Sequence, residues 1–327
     1  MKNILVIGGA GYVGTYLSLK LASFGHKISV YDLFIYGDNI VSNYNISKIK
    51  GDIRDISFLE KVIEKNEINT IIHLACISND PSFELDPDLG KKINFDCFEP
   101  LIQTAKRKKI KRFIYASSSS VYGIKSEENV YENMSLEPLT DYSKFKAMCE
   151  DVLFKNSDDE MCFTILRPAT VCGYSPRQRF DLVVNILTNL AYNKSEITVY
   201  GGNQYRPNIH IEDMVDAYIH ILEQPEDKIN KKIYNVGFEN YTVNDIAKLV
   251  KEVINDDIEI KKVQTMDERS YKINSDKIRE EIGFSPKKNI RNSIEDLKKA
   301  FDQKKFKNPL DNEYYFNIKR MNSIRLK

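Results

Sequence analysis

The sequence predicts an α/β fold, a doubly wound parallel sheet followed by a smaller C-terminal lobe that binds substrate. Three observations carry that expectation. Apolar strand-like runs alternate with helix-like stretches through the first half of the chain, the rhythm of parallel strands joined by crossover helices. The run Thr70-Ile71-Ile72-His73-Leu74-Ala75 is continuously apolar apart from its ends and one histidine, as befits a strand covered by helices on both faces. After about residue 175 the pattern loosens, with Arg, Asn and Tyr mixed among short apolar runs as far as Gln204. A lobe that closes over a ligand at the carboxyl ends of the strands would read this way.

The elements follow in order. Strands are expected at 3–7, 28–32, 46–49, 70–75, 112–116 and 162–166. Between them, 53–65 and 94–108 carry apolar residues at three- and four-residue steps, the spacing of amphipathic helices. Residues 1–174 are expected to form a Rossmann-type domain and 175–327 mainly the substrate lobe, with about 206–236 returning to the first domain. The last twenty-five residues combine lysines with Tyr314, Tyr315 and Phe316. Such aromatics are costly to leave in water, so the tail is expected to pack on the body or on a partner subunit.

The turn after the first strand, Gly8-Gly9-Ala10-Gly11-Tyr12-Val13-Gly14, precedes the helical pattern Tyr16, Leu17, Lys20, Leu21. Glycines there let backbone N–H groups approach a pyrophosphate, and the following helix points its positive end at the same phosphates. Asp32 closes the second apolar run eighteen positions after Gly14. A carboxylate in that place accepts hydrogen bonds from the ribose hydroxyls of NAD and repels the 2′-phosphate of NADP. NAD is the expected cofactor, held by Gly8, Gly11, Tyr12, Val13, Gly14 and Asp32.

With 48 basic and 47 acidic side chains, the 327-residue chain has no net field to draw it to nucleic acid or to an anionic membrane. The basic run Lys106-Arg107-Lys108-Lys109 reads as the solvated end of a helix. A glycine turn beginning at residue 8 leaves no room for a secretion signal, and no apolar stretch approaches bilayer length. A cytoplasmic protein is expected. The five cysteines (76, 97, 149, 162, 172) are scattered, and the four histidines show no ligand spacing, so neither disulfides nor a metal site is expected.

Tyr142 and Lys146 stand four apart, which places them on one face of a helix. An ammonium beside a phenol, together with the charge of oxidised nicotinamide, stabilises the phenolate and makes Tyr142 a general base. Tyr16/Lys20, Tyr44/Lys48 and Tyr315/Lys319 share the spacing, but only Tyr142 follows the hydroxyl-rich end of a strand, Ser117-Ser118-Ser119-Ser120-Val121-Tyr122-Gly123. Lys144 points to the opposite face and is expected to be solvated.

Together these pieces resemble an extended short-chain dehydrogenase/reductase of the NAD-dependent epimerase/dehydratase family. Gly51-Asp52-Ile53-Arg54-Asp55, His73-Leu74-Ala75-Cys76, Arg167-Pro168 and Asn208-Ile209-His210-Ile211-Glu212-Asp213 add to the likeness. The resemblance implies a nucleotide-diphosphate sugar oxidised at its C4 hydroxyl, with Ser118, Tyr142 and Lys146 as the catalytic triad. It implies that Asp52 and Ile53 hold the adenine, that Ala75 and Cys76 line the cofactor, and that Tyr142 and Lys146 also touch it. It further assigns substrate contacts to Ser119, Arg177, Arg179, Asp181, Arg206 and Arg269, and suggests a homodimer. The 4,6-dehydratases of the family carry an Asp-Glu pair where this chain has Ser119 and Ser120, so dehydration is disfavoured. The remaining readings are a C4 epimerase in surface-polysaccharide sugar biosynthesis, a C4 dehydrogenase or ketoreductase acting on a sugar such as a GDP-heptose, and, more distantly, a non-catalytic binding protein.

Overall fold

The computed structural model describes residues 1–158, 160–265 and 270–326. Seven strands form one parallel sheet: β1 (Asn3–Ile7), β2 (Lys27–Asp32), β3 (Ile46–Lys50), β4 (Thr70–His73), β5 (Arg112–Ala116), β6 (Cys162–Pro168) and, after the short β7 (Thr170–Cys172), β8 (Glu196–Tyr200) and β9 (Tyr205–His210), the strand β10 (Lys232–Val236). Their order is β10-β6-β5-β4-β1-β2-β3. The direction of winding reverses between β1 and β4, so a crevice opens at their carboxyl ends, where such sheets bind ligands.

Helices cover both faces. Leu17 and Leu21 of α1 (Tyr12–Ser23) pack on one face. The other face receives α2 (Ile56–Lys65) and, beyond the short α3 (Asp80–Phe83) and α4 (Pro87–Lys91), the helices α5 (Phe98–Arg107) and α6 (Asp141–Lys155). Next in the chain come α7 (Val183–Lys194) and α8 (Ile211–Glu223), and α8 joins α1 on the first face through Met214, Val215 and Leu222. Strands β4, β5 and β6 are buried along nearly their whole length, which is why they read as unbroken apolar runs.

The smaller lobe completes the chain order with α9 (Glu226–Ile229), β11 (Glu239–Thr242), α10 (Val243–Ile254), β12 (Glu259–Val263), α11 (Asp276–Ile282) and α12 (Ile290–Asp302). Its core joins Leu187 and Ala191 of α7, Ile246 and Val250 of α10, and Ile290 and Ile294 of α12. The two-stranded sheet β8-β12 caps it. Among the described residues, no helix is long and apolar enough to cross a membrane.

Three sequence expectations change in detail. The strand expected at 70–75 ends at His73, because the chain must turn there past Gly8: a Cβ on Gly8 would lie 2.5 Å from Ala75 N. The helix expected over 94–108 is a π-helical turn at 92–96 followed by α5. The segment after 175 is more ordered than its pattern suggests, since it contains the twelve-residue α7. Three of its buried positions are polar, Asn185, Thr188 and Asn189, and each is hydrogen-bonded inside the fold. Their polarity masks the helical period.

The C-terminal segment packs on the body. Phe180 meets Tyr315 edge-on, with ring centroids 5.3 Å apart, and stacks on Phe301 at 5.6 Å. Behind it α13 (Asn317–Ile324) buries Met321 in the α2/α5/α6 core.

Candidate active site

A cleft of about 520 Å³ opens at the β1/β4 crevice. At one end, β1 delivers the chain to Gly8, whose φ of +83° is the left-handed region that glycine tolerates. A Cβ on Gly14 would stand 2.4 Å from Gly8 O, so the turn can close only with glycine there. Helix α1 begins at Tyr12 with no side-chain cap, leaving its first N–H groups to a ligand. Beside it, Asp32 Oδ2 accepts from Ala10 N at 3.0 Å and Oδ1 from Phe34 N at 2.9 Å. Burial raises the Asp32 carboxyl above its usual range, and these two backbone bonds oppose the rise. Gly11, Val13, Ile53, Ala75 and Cys76 line the same cleft. Asp52 lines it too, with its carboxylate in the fork of Arg54, 2.6 Å from Nη2. Burial pushes that carboxyl up, but the contacts with Arg54 bring it below the usual range. This glycine turn, uncapped helix end and terminal carboxylate fit a dinucleotide, with Asp32 placed for a ribose.

The other end holds Ser118, Tyr142 and Lys146. Ser118 ends the extended stretch after β5 and caps a 3₁₀ turn, accepting from Ser120 N at 3.1 Å. Tyr142 lies in the first turn of α6, which is fixed by a capping box between Thr140 and Ser143. Lys146 is one turn on and buried, with Nζ donating to Ala116 O at 2.6 Å and standing 5.9 Å from the Tyr142 ring centroid. The lowering of the phenol expected from the sequence is that of Lys146 together with oxidised nicotinamide. In the protein without NAD, burial raises the phenol well above its ordinary value, Cys76 and Asp80 add to the rise, and Arg179 and Ser118 act against it. Lys144 is exposed and pairs with Asp141 at 3.1 Å.

The residues assigned to substrate by resemblance also converge. Ser119 Oγ lies 3.1 Å from Tyr271 OH, and Arg206 reaches the cleft from β9. Arg177 and Arg179 are buried, and Arg179 Nε donates to Oδ1 of the half-buried Asp181 at 2.8 Å. Arg269 lies outside the described residues. Ser78, Asp80, Tyr271 and Asn317 line the cleft without having been singled out beforehand. Tyr271 is two residues from Arg269 in sequence, whereas nothing local marks Asn317.

Five free cysteines are present, and Cys76 alone among them is not fully buried. His210, Glu212 and Asp296 bring possible ligand atoms within 4.8 Å of one another. An ammonium already serves their charge, because Lys288 Nζ lies 2.8 Å from Glu212 and 3.5 Å from Asp296.

A doubly wound sheet with this turn, this acid and a Ser/Tyr/Lys corner defines a dinucleotide-dependent dehydrogenase-type enzyme. The model of the NAD dependent epimerase/dehydratase family matches residues 4–237, and the chain belongs to that family. It is similar to the UDP-glucose 4-epimerase of Lactobacillus helveticus, at 26% identity over 308 residues, 87% of this chain and 92% of that one. It is also 30% identical over 272 residues to the dTDP-D-glucose 4,6-dehydratase of Dictyostelium discoideum, covering 76% of this chain and 62% of that one. Among solved structures, the UDP-glucose 4-epimerase of Thermotoga maritima with UDP-glucose superposes with a TM-score of 0.83 at 25% identity, covering 93% of this chain and all of that one. The protein is therefore an NAD-dependent enzyme of the nucleotide-sugar epimerase/dehydratase type.

Proposed function

We propose that the protein is a nucleotide-diphosphate sugar C4 epimerase. The observation that carries the reading is the corner formed by Ser118, Tyr142 and Lys146 at the end of the cleft opposite Asp32, with serines rather than carboxylates at 119 and 120. Tyr142 takes the proton of the C4 hydroxyl while Ser118 hydrogen-bonds the same oxygen. Lys146, buried beneath the phenol, holds a positive charge that favours the phenolate and orients the nicotinamide ribose. NAD bound along the cleft would accept the C4 hydride and, by giving it back to the opposite face of the 4-ketosugar, would yield the C4 epimer, while Tyr142 returns the proton. Arg206 and Arg269 are assigned to the substrate diphosphate, which suits the guanidinium fork.

Dehydration needs an acid for the departing hydroxyl and a base for C5. The hydroxyls of Ser119 and Ser120 supply neither. Residues 1–174 with about 206–236 form the cofactor-binding domain in this reading, and the rest of 175–327 the substrate lobe. A homodimer formed through α5 and α6 accords with the exposure of Met148 and Phe154 on α6. The reading places the enzyme in the cytoplasm.

Mass spectrometry of UDP- and GDP-sugars incubated with the enzyme, with separation of isomers, tests the proposal. An isomer of unchanged mass supports the epimerase. A product lighter by two hydrogens, formed with NADH, would make it a C4 dehydrogenase instead, and loss of water would make it a dehydratase.

A further inference from the structure

Two arginines are buried beside the cofactor's path, and their surroundings say which anion they await. The segment that carries them is docked on the glycine turn. Tyr12 OH donates to Gly173 O at 2.6 Å, Ser175 Oγ donates to Tyr12 O at 2.7 Å, and Asn185 Nδ2 donates both to Tyr12 OH at 3.1 Å and to Arg179 O at 2.9 Å. Tyr12 is the first residue of α1, whose uncapped N–H groups face the cleft. From this anchor the Arg177 guanidinium lies over the Tyr36 ring, 3.8 Å from its centroid. Arg179 Nη1 donates to Ser78 Oγ at 3.1 Å, in the loop that also carries Cys76 toward Tyr142.

The pair is short of negative charge. Asp181 pairs with Arg179, and among the described residues Arg177 has no carboxylate within salt-bridge distance. Burial lowers Arg177 to about 10. Arg177 Nε and Arg179 Nη2 are buried with no hydrogen-bond partner among the described residues. Buried unpaired cationic donors are expensive, and an anion that accepts from both would relieve them. A dinucleotide with its adenosine ribose on Asp32 and its nicotinamide by Tyr142 must carry its pyrophosphate across the middle of the cleft, at the amino end of α1. The two guanidinia bracket that path: both line the cleft, Arg177 within the influence of Asp32 and Arg179 within that of Tyr142.

Asn317 fixes their positions. Its Oδ1 accepts from Arg177 Nη2 at 2.8 Å, its Nδ2 donates to Ser78 Oγ at 3.0 Å, and its backbone N donates to Asp181 Oδ2 at 2.9 Å. At 2% exposure it is closed off from water. The side-chain amide thus ties Arg177 directly and Arg179 through Ser78 to the start of α13, and the backbone N–H of the same residue adds Asp181. The C-terminal segment thereby forms part of the wall of the cleft.

We propose that Arg177 and Arg179 bind the cofactor pyrophosphate rather than the substrate, and that Asn317 is the positioning residue that holds both guanidinia toward it. This assignment departs from the resemblance, which gave the two arginines and Asp181 to substrate. It does not depend on which sugar is turned over.

The test is calorimetric titration of cofactor-stripped protein with NAD, adenosine, and whichever of UDP and GDP the unmodified protein binds more tightly. Arg177→Ala and Arg179→Ala should each weaken NAD by about tenfold to a hundredfold, the range for losing hydrogen bonds to a charged group. Adenosine, which lacks phosphate, and the nucleoside diphosphate should bind as before. Normal adenosine affinity also certifies that a variant is folded. Should an alanine variant not fold, Arg179→Lys keeps the charge but loses the fork, and it should weaken NAD selectively by a smaller factor. Asn317→Ala should weaken NAD and leave adenosine unchanged, whereas a merely structural role would move both. Weakened nucleoside diphosphate with unchanged NAD would overturn the proposal, as would unchanged affinity for all three ligands. Failure of the epimerase reading would instead appear in the mass of the product, with these affinities unaltered.

Discussion

Glu150→Gln should destabilise the protein well beyond a surface change, because Glu150 is the buried clasp between α6 and the strand ends that carry Ser118. Its side chain is 3% exposed, as is that of Arg167. Oε1 accepts from Arg167 Nε at 3.0 Å and from Ser117 Oγ, and Oε2 accepts from Arg167 Nη2 at 2.6 Å. Burial disfavours the Arg167 charge, but Glu150 more than restores it, holding the guanidinium above its ordinary range. Glutamine keeps the shape and removes the countercharge. Breaking one side of a buried pair costs about 3–5 kcal/mol. Unfolding entropy of about 2.1 cal/mol/K per residue gives about 0.7 kcal/mol/K for 327 residues, so Tm should fall by about 4–7 °C. Differential scanning calorimetry of the cofactor-free protein measures this. The double variant Glu150→Leu/Arg167→Met should recover most of the loss, since a packed apolar pair replaces a buried ionic one at little cost. A fall of less than about 1 °C for Glu150→Gln would refute the reasoning.

Further expectations follow from the site and its supports. Tyr142→Phe should abolish sugar turnover while leaving NAD affinity within about twofold, measured by mass spectrometry and calorimetry on the same preparation. Because burial raises Tyr142, the rate with saturating NAD should climb with pH as the phenol ionises, and removing a nearby cation with Arg179→Gln should move the profile to higher pH; a shift to lower pH in kcat/KM would contradict the charge argument. His73 is buried, stacked on Phe98 at 5.5 Å and held down to about 3. It stays neutral in the native state while the unfolded chain takes up a proton below about pH 6.5, so His73 lowers stability progressively as pH falls from there toward 3, by up to about 1.4 kcal/mol per pH unit. In His73→Phe that part of the acid slope should disappear from Tm against pH. Gly14→Ala would place a Cβ 2.4 Å from Gly8 O and should weaken NAD about a hundredfold, an overpacking cost of about 3 kcal/mol at the turn itself.

Where a role depends on neighbours in sequence, the sequence was legible. The glycine turn, its strand and helix, and Asp32 lie within thirty residues, and the register of β1 with β2 brings Ile7 opposite Tyr31, next to Asp32. Tyr142 and Lys146 share one helix, so their spacing alone put them on one face. The burial of Tyr142 was not legible there, because a pattern of residue types says nothing about burial, and without NAD burial is the largest influence on the phenol. Helix α7 was hidden for a related reason: Asn185 reads as a surface residue until its amide is found holding Gly173 N, Tyr12 OH and Arg179 O together.

The sequence by itself determined the sheet, the family, the NAD pocket and the three residues at the proposed catalytic corner. Each of these rests on local periodicity, or on short motifs whose backbone geometry is set within a few residues. Tertiary structure alone decided what surrounds them. Ser78 and Asn317 are 239 positions apart yet share a hydrogen bond beside two arginines from a third segment. No periodicity encodes such a meeting, because the contacts arise only after the sheet has formed and the C-terminal aromatics around Phe180 have docked the tail across it.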